Sequence, residues 1–494
     1  MTWQQHLPAL AIILPLLSAP LCMLIGLRRV AWLIGVATNL GGLLISVGLL
    51  QQVAGGNVIS YELGGWAPPL GIELRVDLLN AFVLLIVSAL AFWVFVYARR
   101  SVDAEIDSDK QTGFYAGLLL VYAGLAGITL TGDAFNAFVF LEISALSSYA
   151  VISMGRDRRA LTAAFQYLVM GTIGATFILI GVGFLYMMTG TLNMVDLAQR
   201  LPAVSETSTV QAGFAFLSVG IALKLAMFPL HLWLPNAYAF APSVVSVFLA
   251  ATATKVAVYL LLRVIFSVFG VEFTFAQMHL EYLLLPLAII AVISASLVAV
   301  FQTNLKRMLA YSSVAQIGYM LMGIGIASAM GVTATLLHLF NHALMKGALF
   351  MALGAVVLRV GSVQLHQLAG LGHFMPWTLG AFVVGALSLI GIPLTAGFVS
   401  KWYLVSAALD AGWWWLVVVI AIGSLLAVVY VWRVIEVVWF QPPNAALAGK
   451  TEAPWSLLLP TWGLALANIY FGVDTSLTTG TAEAAVGALF GVTP

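Results

Sequence analysis

Stretches of about twenty apolar residues recur along this chain from end to end, and a stretch of that kind can fold in very few ways. At ~1.5 Å rise per residue it crosses a ~30 Å hydrocarbon core as one helix, with its backbone N–H and C=O groups satisfied internally. Composition supports the same conclusion: of 494 residues, 62% are hydrophobic and only 8% charged, with a mean hydropathy of +1.06. Soluble chains carry about 25% charged residues. The period-two alternation of an outer-membrane barrel is absent. The fold class expected is therefore an all-α polytopic membrane protein.

Fourteen spans are read, near 8–27, 31–51, 76–98, 113–131, 134–153, 164–189, 211–234, 243–268, 281–303, 310–330, 331–358, 376–409, 413–439 and 455–473. No gap between them is long enough for a soluble domain. The gap 52–75 carries Gly-Gly-Trp-Ala-Pro-Pro (64–69) and predicts a small hairpin. The first run has only His6 before it, no Lys or Arg, and reads as a membrane helix rather than a leader. The single cysteine, Cys22, excludes disulfides within the chain and multi-cysteine metal or iron–sulfur sites.

Lysine and arginine placement predicts orientation. Loops after odd-numbered spans, with their flanking span ends, hold thirteen basic residues: Arg28, Arg29, Arg99, Arg100, Lys110, Arg156, Arg158, Arg159, Lys306, Arg307, Arg359, Arg433 and Lys450. The other side holds three, Arg75, Arg200 and Arg263. That imbalance puts the odd loops in the cytoplasm and both termini outside, in a cell inner membrane.

Two spans look broken. The run 376–409 would be ~50 Å long as one helix, and it contains Gly391-Ile-Pro393-Leu-Thr-Ala-Gly397. The run 211–234 carries Pro229 and His231, with Pro235 just beyond. Proline removes a backbone donor and blocks helix continuation. Paired interrupted helices in the two halves of a transporter point to its ion site. Lying five spans apart, they fit two inverted five-helix repeats, spans four to eight and nine to thirteen. The chain then divides into N-terminal helices (1–110), a first repeat (111–270), a second repeat (271–440) and a last span with a C-terminal tail (441–494).

Lys224, Lys255, Lys346 and Lys401 lie within the apolar runs, with Glu142 mid-span in the fifth. A charge at mid-bilayer costs roughly 2.5–3.5 kcal/mol on insertion scales, and such a residue marks an ion or proton path by default. Glu142 and Lys224 are expected to pair, each stabilising the other's charged form. Opening the pair would push the lysine's proton onward; a static bridge between two helices is the alternative. Lys255 has threonines beside it (Thr252, Thr254) and sits too deep to snorkel easily. His338, His342 and Lys346, spaced by four, share one helical face. Two histidines at that spacing suit a metal, but no third ligand is evident and the lysine would repel a cation, so a proton wire fits better. Lys401 follows the second break and would exchange protons with one aqueous side. His231 and Asp133 are weaker pathway candidates, and Asp77 reads as a helix N-cap. Arg433 and Glu436 read as a one-turn surface pair, and Trp413-Trp-Trp415 as an interfacial belt. No phosphate loop, dinucleotide fingerprint or nucleophile–base pair is present, so no catalytic residues, metal site, organic cofactor or nucleic-acid partner are expected.

These residues, with Leu305-Lys-Arg-Met-Leu-Ala-Tyr311-Ser-Ser-Val-Ala-Gln316-Ile-Gly and Phe340-Asn-His-Ala-Leu-Met-Lys346-Gly, resemble the antiporter-like subunits shared by Mrp-type cation/proton antiporters, respiratory complex I and membrane-bound hydrogenases. The resemblance covers essentially the whole chain. Lysine at 401 is similar to the N-type chain of complex I or the D-type chain of Mrp antiporters, whereas the M-type chain of complex I usually carries glutamate there. Leu63-Gly-Gly-Trp-Ala-Pro-Pro-Leu-Gly-Ile72 and Gly132-Asp133-Ala-Phe-Asn-Ala-Phe-Val-Phe-Leu-Glu142 are most similar to the Mrp D type. The run from Glu142 to Tyr149 resembles the D-like subunits of hydrogenase-type assemblies. The resemblance implies fourteen helices with broken seventh and twelfth spans. It also implies that Glu142, Lys224, Lys255, His338, His342, Lys346 and Lys401 line a mid-membrane polar axis. The implied function is proton translocation within a multi-subunit Na⁺ or K⁺/proton antiporter. The alternative is a proton-pumping subunit of a redox complex, in which case the chain would be part of an oxidoreductase. The expected partners are other membrane subunits, lipid, H⁺ and Na⁺ or K⁺.

Overall fold

The computed structural model describes residues 3–491. Two helices, α1 (Leu7–Ile25) and α2 (Arg28–Val53), precede the expected hairpin. Its strands β1 (Ile59–Glu62) and β2 (Glu73–Val76) pair antiparallel, Ile59 opposite Val76. Whole crossings follow as α3 (Leu78–Glu105), α4 (Gln111–Leu130), α5 (Ala134–Ser153) and α6 (Arg159–Thr189). A short helix, α7 (Met194–Arg200), lies between crossings. The seventh crossing is split into α8 (Ser208–Leu225) and α9 (Trp233–Phe240), the eighth into α10 (Ser243–Ala251) and α11 (Ala253–Leu262). Next come α12 (Glu281–Phe301), α13 (Leu305–Gly325) and α14 (Ala329–Val360). The twelfth crossing is split into α15 (Pro376–Ile390) and α16 (Ala396–Asp410), followed by α17 (Trp414–Ile435), α18 (Trp455–Val473) and α19 (Ser476–Phe490). Among the described residues, twelve helices are long and apolar enough to cross a membrane. The interrupted α15–α16 and the more polar α13 complete the fourteen crossings.

The fourth crossing of each five-crossing repeat is broken, α8–α9 in the first and α15–α16 in the second. Because five is odd, the second repeat enters from the opposite face, which makes the repeats inverted. The causes of the breaks are local. Ala226 turns left-handed (φ 59°) at the end of α8, and Pro229 prevents resumption. Gly391 takes the left-handed cap of α15 (φ 89°) with Pro393 just beyond. Glycine is needed at 391 on two counts: that conformation disfavours a side chain, and a Cβ there would lie 2.9 Å from Lys401 Cδ.

Four features depart from expectation. The eighth crossing breaks at Thr252 (φ −124°, ψ −56°), whose hydroxyl donates to the Phe248 carbonyl at 2.7 Å; neither proline nor glycine marks the spot. The tenth crossing begins five residues earlier than the apolar pattern indicates, and α19 lies in what read as a tail. Arg433 is not paired with Glu436: its guanidinium donates to the Val300 and Gln302 carbonyls, tying α17 to the end of α12.

Helix packing rests on small residues, as in many membrane bundles. At the contact between α6 and α8, a Cβ on Gly220 would lie 2.6 Å from the Gly174 carbonyl oxygen. At the second break the fit is tighter still. A Cβ on Gly397 would lie 1.8 Å from the Ser388 carbonyl oxygen and 2.6 Å from Met345 Cε. Gly397→Ala is therefore expected to destabilise the protein by at least ~1–3 kcal/mol, read as a lower thermal midpoint in detergent. Gly480→Ala in α19, with nothing within 4 Å, is expected to be neutral or stabilising by up to ~1 kcal/mol. Equal midpoints for the two variants would contradict this packing.

Candidate functional site

Lys224 lies in the last turn of α8, where the helix dipole favours a cation. Its Nζ is 3.7 Å from Glu142 Oε1. Neither atom has a hydrogen-bond partner, so charge rather than a formed hydrogen bond holds the pair. The expected pairing is present, but one part of the expectation needs correction. Glu142 is not buried like the lysines: its side chain is 25% exposed against 7% for Lys224. It lies on the same outward face of α5 as Phe135 and Leu146, both exposed. Trp233 fixes the break beside Lys224 by donating from Nε1 to the Leu223 carbonyl at 3.0 Å and stacking on Tyr167 at 4.0 Å. A cavity of about 40 Å³ then separates Lys224 from α11. Ser144, Ser148, Tyr167, Ala253 and Ala257 help line it. Most of its lining is aliphatic, with Ser144, Ser148, Tyr167 and Lys224 as the polar members, and its volume is that of about one to three waters.

Lys255 is 0% exposed. Its amine donates to the Ala250 carbonyl, at the break between α10 and α11, and to Thr254 Oγ1 at 3.4 Å. One expected threonine is therefore a partner, while the other makes the break.

His338, His342 and Lys346 share the buried face of α14, as their spacing predicts. The two imidazoles stack with centroids 6.2 Å apart and planes 8° from parallel. His338 hydrogen-bonds Ser400 Oγ through Nδ1 (2.9 Å) and Gln316 Oε1 through Nε2 (3.0 Å). His342 is fully buried with neither ring nitrogen bonded. The Lys346 amine donates to the Leu309 carbonyl (2.8 Å) and Ser312 Oγ (2.5 Å).

Lys401 in α16 reaches back to the freed end of α15. Its amine donates to the carbonyls of Ile390 (2.7 Å) and Leu389 (3.3 Å) and to Ser424 Oγ (2.9 Å). It also lies 4.9 Å from the centroid of the Tyr319 ring, within cation–π range. Ser400, its neighbour in sequence, is the residue bonded to His338, so the second break joins the two sites.

Gln316, Ser400, Ser312, Tyr319 and Ser424 were not expected as site residues. A signal existed for three of them: Ser312, Gln316 and Tyr319 fall at i, i+4 and i+7 on one face of α13. Lys306 is a further correction. It counted as a loop residue but is buried, its amine donating to Ser243 Oγ (3.0 Å) and the Ala241 carbonyl (3.4 Å). Ser243 in turn donates to Glu105 from its backbone N–H and its hydroxyl. Lys306 and Glu105 line a cavity of about 460 Å³ at the face of the basic loops.

The weaker candidates lie away from this chain of contacts. His231 stacks against Phe228 at 5.3 Å with Nδ1 unbonded. Asp133 caps α5, accepting from the Asn136 N–H at 2.7 Å; burial pushes its carboxyl up, partly offset by that N–H and Phe135's. Asp77 caps α3 reciprocally with Asn80, as its position suggests. It also accepts from both terminal nitrogens of Arg263, at 2.7 and 2.8 Å, a bidentate bridge not legible in the sequence.

The family model described as "NADH:quinone oxidoreductase/Mrp antiporter, TM" matches residues 131–427. NADH-quinone oxidoreductase subunit N of Desulforudis audaxviator (strain MP104C) is 40% identical, over 95% of this chain and 96% of its own length. The D subunit of the Na(+)/H(+) antiporter of Bacillus subtilis (strain 168) is 30% identical, over 94% and 93%. In three dimensions the chain is similar to a chain of the Mrp complex from Dietzia sp. DQ12-45-1b, with TM-score 0.90, 26% identity, and coverage of 99% of this chain and 98% of that one.

The Asp77 bridge has a pH signature. Burial alone would raise this carboxyl, but Arg263 and the Asn80 N–H hold it below the ordinary carboxylate range. A carboxyl whose pKa is lower folded than unfolded adds stability above the unfolded value, ~3.9, and loses it as pH falls through the folded value. Asp77→Asn is expected to lower the thermal midpoint most near neutral pH, with the gap from wild type closing as pH falls below ~4. A gap that does not change with pH would contradict the bridge.

Proposed function

The chain belongs to the NADH:quinone oxidoreductase/Mrp antiporter family, and from that membership we propose that it is a proton-translocating subunit of a multi-subunit Na⁺ or K⁺/proton antiporter. The observation that carries the proposal is the series of buried amines and imidazoles at Lys224, Lys255, Lys346, His342, His338 and Lys401. Beyond the Glu142–Lys224 pair, their partners are neutral carbonyls, hydroxyls and an amide rather than carboxylates. An amine held by neutral oxygens can give up its proton without stranding a buried anion. Two such cations roughly 10 Å apart repel by about 1.7 kcal/mol at an effective dielectric of ~20, more than tenfold in proton affinity. Loading one amine therefore drives the proton off the next. Glu142 gates the series: while it lies near Lys224 the proton is held there, and as it withdraws the proton moves on through the small cavity beside Ser144 and Ser148 toward α11 and Lys255. His342 and His338 relay it to Ser400 and Lys401. The thirteen-to-three basic imbalance supports cytoplasmic odd loops and extracytoplasmic termini.

A second reading, a proton-pumping subunit of a redox-driven complex, is favoured by the 40% identity to an NADH-quinone oxidoreductase subunit. The same relay would serve it, with electron transfer in other subunits supplying the drive.

Everted vesicles carrying the complete complex separate the two. A dye reporting ΔpH is expected to respond to added Na⁺ or K⁺ without an electron donor, and Lys224→Ala to lower the initial rate at least tenfold. A ΔpH that appears only with an electron donor would overturn the antiporter reading in favour of the redox one. The relay is tested separately by Ala257→Leu, which fills the cavity between Lys224 and α11. It is expected to slow exchange several-fold with assembly intact, and an unchanged rate removes this cavity from the path.

A further inference from the structure

A cavity of about 380 Å³ opens on the face opposite the basic loops, lined in part by Asp77, Thr131, Met194, Tyr259, Arg263 and Ala485. It meets the polar axis along α11. Lys255, Tyr259, Arg263 and Ser267 follow one another at intervals of four and so share one helical face. Tyr259, in the lining, is one turn, ~6 Å, from Lys255. The cavity of Lys306 and Glu105, lined at this crossing by Pro242, lies thirteen residues from Lys255 in the other direction. The buried lysine is therefore closer to the outer cavity.

The floor of the cavity is a hydrogen-bonded chain. Asp77 accepts from both terminal nitrogens of Arg263, Arg263 Nε donates to Tyr259 Oη at 3.2 Å, and Tyr259 Oη donates to the Thr129 carbonyl at 2.9 Å. A guanidinium does not deprotonate, and its charge repels a hydrated proton, so in this position it blocks a relay. Arg263 also begins a π-helical stretch, Arg263–Phe269, that ends at Gly270 (φ 78°). Helix irregularities of this type occur frequently at functional sites.

We propose that this cavity is an outer aqueous port for protons exchanging with Lys255, and that the Arg263–Asp77 bridge is its gate. Closed, as here, Arg263 covers Tyr259 and the Lys255 amine turns away toward Ala250. Open, Arg263 leaves Asp77, and the Tyr259 hydroxyl accepts a proton from the port as it passes its own to the Lys255 amine, which swings round on its flexible stem. Charge and protons balance: one proton leaves the port and one arrives at the amine. The proposal rests on Lys255 being part of the relay.

The test measures access rather than transport. In a Cys22→Ala background, Lys255→Cys and Ser267→Cys are labelled with a membrane-impermeant thiol reagent, in right-side-out and in everted vesicles carrying the full complex. Ser267→Cys reports the side on which the port opens and is expected to react in every background. Lys255→Cys is expected to react from that same side at least tenfold faster with Arg263→Gln or Asp77→Asn than with the bridge intact. Asp77→Asn keeps a competent cap on α3, so one gate variant preserves the local fold. Lys255→Cys remaining unreactive in both gate variants while Ser267→Cys reacts would falsify the port, as would labelling only from the opposite side. Failure of the relay itself shows elsewhere, as normal exchange in Lys224→Ala.

Discussion

A lysine ammonium in the middle of a bilayer needs oxygen around it, and in this protein much of that oxygen comes from interrupted helices. An intact helix consumes its carbonyls in i to i+4 bonds, whereas a helix end leaves the last four free. Lys401 takes two of the carbonyls released at the end of α15, and Lys255 takes Ala250's at the Thr252 break. Lys224 sits in the last turn of α8, directly before its break. The breaks thus set both the depth and the direction of the amines. Lys346 is the exception: it takes a carbonyl and a hydroxyl from the unbroken α13.

The residues that close the contacts around His338 come from three helices. α14 supplies the imidazole, α13 supplies Gln316, and α16 supplies Ser400. Because Ser400 belongs to the helix that restarts after the second break, any movement of α16 against α15 shifts His338's partner together with Lys401. The close approach of Gly397 to Ser388 leaves little freedom for that movement. The first break is held differently, by Trp233 stacked on Tyr167, and next to it lies a pair with charge at 3.7 Å but no hydrogen bond. The looser contact is therefore at Glu142–Lys224 and the tighter one at Lys401, which in the proposed relay places the gate at one end and a fixed station at the other.

The legible parts of this fold were those where sequence carries a physical penalty. Apolar runs can do little but span, and charges within them are too costly to be incidental, so the crossings and the four lysines were evident. Pro229, Gly391 and Pro393 marked two breaks because proline removes a backbone donor and glycine readily takes the left-handed cap, although Pro15, Pro20, Pro286 and Pro460 lie inside continuous helices. The break at Thr252 was hidden because threonine is compatible with a helix, and only its hydroxyl bond to Phe248 reveals the turn. Lys306 was hidden because a lysine at a span end can point either way, and only the placement of Ser243 draws its amine inward. The exposure of Glu142 depends on which face of α5 packs against neighbours, and the contacts of Lys255, Lys346 and Lys401 depend on carbonyls that any residue type carries. The Arg263–Asp77 bridge joins residues 186 positions apart, with nothing local to relate them.

Inversion of the repeats gives the axis its electrostatic balance. The first half of each broken crossing ends inside the protein with its carbonyls pointing onward, carrying about half a negative charge. Half a charge ~4 Å from an ammonium at an effective dielectric of ~20 is worth about 2 kcal/mol. That offsets most of the roughly 2.5–3.5 kcal/mol cost of one mid-membrane lysine. In a single repeat all such ends would point the same way, and lysines could be stabilised from one face only. With five crossings per repeat, α8 and α15 run in opposite senses, so their negative ends approach the membrane centre from opposite faces. Lys224 and Lys401 occupy these two ends, and the lysines and histidines of α11 and α14 lie between. The interval between the two ends contains no carboxylate among the residues bonded to Lys255, His338 and Lys346. In the proposed relay a proton there meets no deep trap, and its position is governed by repulsion from its neighbours and by the two helix ends.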